Sequence, residues 1–405
     1  MEGSEYNLEL EIRELRQTYN SGKTKEESWR RSQLKNLLTL LMERENEICS
    51  ALVHDLGKHP VESFRDEADL PLAAFPASAR LVPEPLGLVL IISPWNFPFG
   101  LSLEALIGAI AAGNVVVLKP SELAPASSSA LAKLIHSYLD TKAVKVIEGG
   151  ASVGEQLLQQ KWDKILFTGS SAVARIVMTA AAKNLTPVAL ELGGKCPAVV
   201  DSLSSSWAQK MAVNRILSAK FGTCAGQACV AIDYILVEKK FSSTLVDLLK
   251  AGILSMFGET TKGSDKIFGP LLPIITLEKM EDSVEFINSL PRALALYAFT
   301  NNEGLKKKIS SKTSSGCIVF NDAIIQYVAD SVPFGGVGES GFGRYHGKFS
   351  FDMFSHEKAI TGRGFHIDFW FRYPPWNDNK LLLFRHVYRF DYLGILLVIL
   401  GLKRS

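Results

Sequence analysis

The sequence predicts an α/β protein of the doubly wound type, built from two such units, on two observations. Apolar runs of strand length follow residue 85, at 88–92, 115–118, 165–167, 188–190, 198–200 and 232–237. Helical stretches separate most of these runs, at 101–112, 126–139, 173–183, 207–220 and 241–257. Strands that are apolar throughout and alternate with helices are typical of a parallel sheet covered by helices on both faces. We therefore expect two such sheets in succession.

Three further segments complete the predicted order of elements. Residues 5–56 are expected to be helical, because apolar side chains recur there at spacings of three and four residues. The glycine-rich stretch 331–347, SVPFGGVGESGFGRYHG, is expected to form a loop threaded close to other backbone, since glycine loses much conformational entropy in a regular element. Residues 362–405 form an apolar, aromatic and basic tail.

Composition excludes several classes of protein. The chain has 405 residues, 47% hydrophobic and 21% charged, which indicates a folded enzyme-like protein with a large core. Its 44 basic residues nearly balance its 42 acidic ones, so nucleic acid is not expected as a partner. The five cysteines form no CxxC pair and lack a histidine cluster, so neither a metal site nor a disulfide framework is expected. The N-terminal residues lack the apolar segment of a signal peptide, and we expect a cytoplasmic protein.

Cys229 is the first candidate for chemistry. It ends the sequence Gly226-Gln227-Ala228-Cys229, which lies between the predicted helix 207–220 and the predicted strand 232–237. A cysteine on a turn of small residues can be approached by a substrate, whereas a cysteine inside an apolar run usually cannot. The alternative is a buried structural thiol, the common fate of a single cysteine.

Two polar side chains follow predicted strands. Glu191 comes directly after the strand 188–190, at the end of a parallel strand where α/β proteins place their sites. Asn96 lies in Ser93-Pro94-Trp95-Asn96-Phe97-Pro98, where two prolines stiffen the turn, and its amide could donate a hydrogen bond to a developing oxyanion. A solvated glutamate and an ordinary asparagine turn are the alternatives.

Two further strand ends are candidates for nucleotide binding. Gly169 and Ser170 lie between a strand and a helix, and the backbone amides at a helix N-terminus favour a pyrophosphate. Lys119 and Glu122 leave another strand and could hold the ribose hydroxyls of an adenine nucleotide, or form a plain surface ion pair. Neither motif is specific by itself, because the GxGxxG spacing is absent.

Taken together, these motifs resemble one family. PWNFP, LKPSE, FTGS, ELGGK, GQAC, IFGP and PFGGVGESGFGRYHG occur in the order found in aldehyde dehydrogenases. These motifs resemble those of the class 3, fatty-aldehyde-related branch, and the sequence CAGQAC is similar to the one found in its plant members. The resemblance covers residues 80 to 360. It implies a doubly wound cofactor domain at 1–191, an α/β catalytic domain at 192–330, a bridging and oligomerisation segment at 331–361 and the tail at 362–405.

The resemblance also implies a mechanism and a set of site residues. Cys229 would attack an aldehyde, the Asn96 amide and the Cys229 backbone N–H would hold the oxyanion, and Glu191 would be the general base that hydrolyses the thioester. NAD or NADP would be the cofactor, bound by residues Lys119, Glu122, Gly169, Ser170 and Phe268. Medium- or long-chain aliphatic aldehydes are the expected substrates, and a homodimer is the expected assembly.

The chain is shorter than the family norm, and the loss is concentrated in one place, with a second, smaller deletion near residues 66–76. Only the seven residues TTKGSDK separate Phe257-Gly258-Glu259 from Ile267-Phe268-Gly269-Pro270, where relatives carry several dozen, including strands of the catalytic sheet. Lys266 also stands where the family has a carboxylate that anchors the nicotinamide ribose, and a cation cannot accept hydrogen bonds from those hydroxyls. Two hypotheses therefore stand: a working dehydrogenase, or a shortened relative that only binds nucleotide or a partner subunit.

The composition of the C-terminal tail indicates that it contacts another surface, either a membrane or its own dimer. Residues 362–405 contain seven basic and three aspartate residues, a net charge of +4, and 392–402 are apolar throughout. Spanning a bilayer takes about 20 apolar residues, so this segment is too short to cross one. It fits either an interfacial helix on an intracellular membrane or a tail that packs within its own dimer.

Overall fold

The computed structural model describes residues 17–18, 21–23, 26–56, 59–63, 78–258, 269–365 and 370–403. The chain divides into two compact units. One consists of Met1–Val82 with Ala359–Ser405, and the other is Pro83–Lys358. The predicted α/β class is confirmed, since the larger unit contains two sheets whose strands alternate with helices.

The first sheet has six strands in the order β12-β6-β5-β2-β3-β4. Its parallel strands are β2 (Leu88–Ile92), β3 (Val115–Lys119), β4 (Val144–Val146), β5 (Lys164–Gly169) and β6 (Val188–Leu192). The helices between them are α4 (Gly100–Ala111), α5 (Pro125–Tyr138), α6 (Ala151–Leu158) and α7 (Ser171–Ala182). Val89 and Ile91 belong to one buried cluster and Leu90 to another, so the sheet is covered on both faces.

The order of these strands reverses between β2 and β5. The chain runs outward from β2 through β3 to β4, then returns to the other side of β2 and continues to β6. In register, Ile92 at the end of β2 pairs with Lys119 on one side and with Phe167 on the other. The carboxyl ends of β2, β3 and β5 therefore meet at one edge, the place where open α/β sheets bind ligands.

The second sheet has five parallel strands in the order β11-β10-β7-β8-β9. They are β7 (Pro197–Val200), β8 (Tyr234–Glu238), β9 (Ile274–Leu277), β10 (Ala295–Phe299) and β11 (Cys317–Phe320). The covering helices are α8 (Ser206–Leu217), α9 (Lys239–Phe257), α10 (Ser283–Asn288) and α11 (Glu303–Lys312). Val199 faces one core and its neighbours Ala198 and Val200 the other, so this sheet is also covered on both sides.

The glycine-rich stretch passes back to the first sheet, as expected of a loop threaded close to other backbone. Its strand β12 (Gly341–Phe342) pairs antiparallel with β6, and Gly341 lies opposite Glu191. Gly341 has φ of 120°, and a Cβ there would lie 2.0 Å from the Leu190 carbonyl oxygen. Only glycine meets both conditions. Helix α12 (Lys348–Met353) and strand β13 (Ser355–Gly362) follow.

The smaller unit is mainly helical. Its N-terminal helices are α1 (Glu27–Glu43), α2 (Glu45–Leu56) and α3 (Pro60–Ser63), so the predicted helix 5–56 is broken at Arg44, and its first residues lie outside the described part. Strand β1 (Ser78–Pro85) pairs with β13. The tail forms α13 (Asp378–Tyr388) and α14 (Tyr392–Ile399). Phe384 packs with Val61, and Arg385 pairs with Glu45.

Within the described ranges, every helix falls short of the length and apolar character that crossing a bilayer requires.

Replacing Gly341 by alanine should destabilise the protein strongly. The new Cβ would collide with the Leu190 carbonyl in a backbone conformation that alanine avoids, and we expect a loss of roughly 3–5 kcal/mol. The shift of the urea unfolding midpoint measures this loss. Gly154→Ala is the matched control, because its Cβ would make an ordinary 3.8 Å contact with Lys119 inside α6. Equal midpoints for the two variants would contradict the argument.

Candidate active site

A strained loop presents Cys229. Helix α8 ends in a π-helical turn, Ser218–Gly222, and then Cys224, Ala225 and Gly226 take φ of 46°, 48° and 80°. Left-handed backbone at two non-glycine residues costs free energy that the surrounding fold must supply, and such strain is found mostly at functional sites. A Cβ at Gly226 would lie 2.5 Å from the Gly269 carbonyl oxygen, so glycine is required where the loop passes that segment.

The thiol of Cys229 is held in its protonated form. Burial, together with the charge of Glu191, raises its pKa to about 12. The backbone N–H groups of Cys229 and Val230 point toward the sulfur and partly oppose this rise. The buried Cys196 thiol donates to the Cys229 backbone carbonyl oxygen at 3.4 Å. Because the thiolate is the nucleophile, this cysteine needs a base before it can react at neutral pH.

Glu191 is the acidic side chain whose charge acts on this thiol. It lies in β6 with 3% of its surface exposed, and neither carboxyl oxygen has a hydrogen-bond partner among the residues that the structure describes. Burial, reinforced by the charge of Glu104, raises its pKa well above the usual range. A buried carboxyl group without a partner is costly for stability, and such a group marks a functional site more often than a structural one.

Asn96 is hydrogen-bonded to the loop that presents Cys229, although its partner Gln227 is 131 residues away in the sequence. Its side-chain amide donates to the Gln227 carbonyl oxygen at 2.8 Å, and the Cys224 thiol donates to the Asn96 carbonyl oxygen at 3.5 Å. An asparagine amide carries two N–H donors, so the second remains for an oxygen bound near Cys229. The structure therefore brings Cys229, Glu191 and Asn96 together from three separate segments.

Lys119 and Glu122 form an ion pair at the end of β3. The Lys119 ammonium lies 3.0 Å from the Glu122 carboxylate and also donates to the Pro120 carbonyl oxygen at 3.2 Å. Only Glu122 is at the surface, since its side chain is 45% exposed and that of Lys119 6%. The backbone hydrogen bond and the nearby lysine lower the pKa of Glu122. A buried cation beside a reachable carboxylate fits hydroxyl groups of a ribose better than a plain surface pair.

Gly169 and Ser170 lie at the neighbouring strand end. Ser170 caps α7, which starts at Ser171 rather than at the predicted residue 173, and its hydroxyl accepts from the Val173 N–H at 3.4 Å. A Cβ at Gly169 would lie 2.6 Å from the Phe167 ring, so this ring packs closely against the turn. This helix start faces the edge where the strand order reverses, which suits a pyrophosphate. Phe268 and Lys266 lie outside the described residues.

The sequence argument missed a second group of side chains at this site. Burial, together with the charges of Glu104 and Cys229, raises the pKa of Tyr327 to about 12. Tyr345 is buried beside Glu191, Glu104 and Cys229. Glu104 is the single charged residue of α4, GLSLEALIGAIA, and a charge inside so apolar a helix is a signal that sequence inspection could have used.

Comparison with known proteins gives one consistent result. The family model for the aldehyde dehydrogenase family matches residues 73–262 and 259–360. Aldehyde dehydrogenase family 3 member F1 of Arabidopsis thaliana is 46% identical over 484 residues, covering 100% of both chains. Family 3 member A2 of Rattus norvegicus is 37% identical and covers 92% of this chain and 93% of its own. The substrate-bound structure of Staphylococcus aureus AldH superposes with a TM-score of 0.71 at 31% identity, covering 94% of this chain and 99% of its own.

The comparison also locates a gap within the chain. The plant alignment spans 484 positions against the 405 residues of this chain. The two segments matched by the family model meet at residues 259–262. This is where the sequence predicts the loss of several dozen residues, between α9 and β9.

Proposed function

The chain belongs to the aldehyde dehydrogenase family, and we propose that it oxidises aliphatic aldehydes to carboxylic acids through a thioester on Cys229. The observation that carries this proposal is the convergence at one place of a buried thiol, a side-chain amide, and a buried carboxyl group that has no hydrogen-bond partner among the described residues. A structural cysteine would need none of these neighbours. Members of the family use NAD or NADP, and we make no choice between them.

The first half of the reaction follows from the charges at the site. The Glu191 carboxylate takes the Cys229 proton, and the resulting thiolate adds to the aldehyde carbon. The Asn96 amide and the backbone N–H of Cys229 then stabilise the oxyanion. Lys119, Glu122, Gly169 and Ser170 would hold the nucleotide, whose nicotinamide ring supplies the hydride acceptor when it is bound.

The second half hydrolyses the thioester. Once it has released the Cys229 proton to solvent, Glu191 again serves as the base, this time for a water molecule that attacks the thioester carbonyl. The C–S bond then breaks, and the Cys229 thiolate takes the proton of the carboxylic acid, which leaves as the carboxylate. The position of Glu191 favours attack by water, because within the described ranges both carboxyl oxygens lack a hydrogen-bond partner and can therefore bind water. The raised pKa makes the carboxylate a stronger base than an exposed glutamate would be.

An apolar stripe beside the site supports an aliphatic substrate. Phe99, Leu103, Ile107 and Ile110 are each between 37% and 67% exposed and recur along one face at the start of and within α4. This helix begins at the site, because a Cβ at Gly100 would lie 3.5 Å from the Tyr327 hydroxyl oxygen. The stripe runs for roughly 16 Å, enough to bind several methylene groups of a chain.

The smaller unit supports a second proposal, contact of the tail with a lipid surface. Helix α14 exposes Leu393, Leu396 and Ile399 by 68%, 53% and 54%. Only Gly394 of this helix is buried. Exposed apolar residues in a tail of net charge +4 suit the boundary of an anionic membrane. The expected homodimer remains a prediction.

Purified protein should reduce NAD or NADP when hexanal is added, and Cys229→Ala should abolish the reaction. The thiol is the only proposed nucleophile, and removing it leaves no route to the thioester. Absorbance of the reduced nicotinamide measures turnover. Cys49→Ala is the control, because this thiol lies in the other unit. Folded wild-type protein that reduces neither cofactor would contradict the proposal and favour a shortened relative without turnover.

Ile107→Gln should impair long substrates selectively. We expect kcat/KM for decanal to fall about tenfold, because a factor of this size corresponds to the free energy of one well-buried aliphatic contact. The value of kcat/KM for propanal should change little. Leu134→Gln, an equally apolar change on the exposed face of α5, is the control. An equal loss for both aldehydes would show that the stripe does not bind the chain.

Wild-type protein should sediment with vesicles that contain phosphatidylserine, and Leu393→Glu/Leu396→Glu should remain in the supernatant. Two carboxylates on the exposed face of α14 would remove apolar contact and add repulsion from the anionic surface. Leu134→Glu controls for a general effect of charge. Wild-type protein that stays in solution at low salt would refute membrane contact.

A further inference from the structure

Cys229 lies in a tight turn of the backbone. The Ala231 N–H donates to the Ala228 carbonyl oxygen at 3.0 Å, so Cys229 and Val230 are the two central residues of a β-turn. Turns of different types share this hydrogen bond and differ in the orientation of the peptide group between the central residues. The direction in which the turn presents its thiol therefore depends on what holds that peptide group.

Cys196 holds the carbonyl oxygen of this peptide group. Its thiol donates to the Cys229 carbonyl oxygen at 3.4 Å, and its sulfur accepts from the Ala295 N–H, at the start of β10, also at 3.4 Å. The Cys196 side chain is completely buried, and burial, followed by the charge of Asp233, raises its pKa well above the usual range. The thiol therefore stays protonated at neutral pH and can act as a donor.

Tyr297 holds the next carbonyl oxygen along the chain. Its hydroxyl donates to the Val230 carbonyl oxygen at 2.6 Å from the middle of β10, and its side chain is completely buried. The Gln326 amide donates to the Tyr297 hydroxyl oxygen at 3.0 Å. This leaves the phenol hydrogen for the Val230 carbonyl, which can only accept. Two consecutive carbonyl oxygens of the turn are thus bound by side chains from the buried core of the second sheet.

These two hydrogen bonds orient the turn relative to the core. Val230, Cys196 and Tyr297 are buried, whereas the Cys229 side chain is partly exposed. In a trans peptide the N–H points away from the carbonyl oxygen, so a Cys229 carbonyl directed at Cys196 leaves the Val230 N–H on the opposite side. That N–H points toward the Cys229 sulfur, where a donor favours the thiolate.

We propose that Cys196 and Tyr297 are positioning residues for the nucleophile, which bind the carbonyl oxygens of Cys229 and Val230 and so fix the turn with its thiol toward the site. This inference rests on the proposed function, because it concerns the same nucleophile. Neither side chain acts on the substrate itself. Each acts through the backbone of the turn, and removing either donor leaves a buried carbonyl oxygen without its partner.

Alkylation of Cys229 by iodoacetamide tests the proposal without aldehyde or cofactor. Tyr297→Phe removes one hydroxyl group and Cys196→Ala removes the thiol, and in each variant we expect alkylation at a fixed pH to slow roughly threefold to tenfold, the effect of one lost hydrogen bond. Cys196→Ser keeps an O–H donor at this position and should retain most of the wild-type rate. Fragment mass spectrometry that distinguishes Cys229 from Cys224 measures the rate.

Thr186→Val is the matched control. The Thr186 hydroxyl is buried and donates to the Trp162 carbonyl oxygen at 2.7 Å, so this variant loses the same kind of hydrogen bond beside the first sheet. We expect the urea unfolding midpoint to fall in Thr186→Val as it does in Tyr297→Phe, while the alkylation rate of Thr186→Val stays unchanged. Unchanged or faster alkylation in Tyr297→Phe, equal slowing in Thr186→Val, or no recovery in Cys196→Ser would overturn the proposal.

Turnover of hexanal separates failure of this inference from failure of the proposed function. In an active enzyme, kcat and kcat/KM should fall together in Tyr297→Phe, as expected when an interaction of the transition state is weakened. A rise in KM alone would contradict a role in positioning the nucleophile. Wild-type protein that shows the expected alkylation pattern but reduces neither cofactor would support the positioning of Cys229 and refute the dehydrogenase activity.

Discussion

The pairing of β12 with β6 is the constraint on which the site depends. Gly341 lies opposite Glu191, and a Cβ there would collide with the Leu190 carbonyl oxygen, so the glycine-rich return is fixed in register against the strand that carries Glu191. Four residues later the same segment places Tyr345 beside Glu191 and Glu104, and His346 beside Glu104. Backbone hydrogen bonds therefore set the position of side chains that would otherwise belong to a long loop.

Burial gives the site its electrostatic character. The thiol of Cys229 and the carboxyl group of Glu191 are each driven toward the neutral form by loss of solvent, and the charge of Glu191 further opposes ionisation of the thiol. Such groups titrate together, so ionising one of them requires a proton to move within the site or leave it.

The internal gap interrupts the part of the chain that forms the five-stranded sheet. It falls between α9 and β9, and β9 is the last strand at one side of the five-stranded sheet in the described part of the chain. The central strands β7, β8 and β10 keep their registers and their buried faces. A loss at the margin of a sheet disturbs fewer backbone hydrogen bonds than one at its centre. Cys229, Glu191 and Asn96 lie on the other side of the gap from this margin in sequence, in segments that precede residue 230.

The sequence by itself determined the alternation of strands and helices and the local residues at each strand end, because apolar runs and turn residues record burial and backbone conformation locally. It could not show that Asn96 donates to Gln227, or that Gly341 meets Leu190, since these contacts join distant positions. Short strands such as β4 and β12 were missed for the same reason: their pairing is decided by partners elsewhere. Glu104 and His346 became a pair only when α4 and the glycine-rich return were brought together, because burial and charge coupling are properties of tertiary packing.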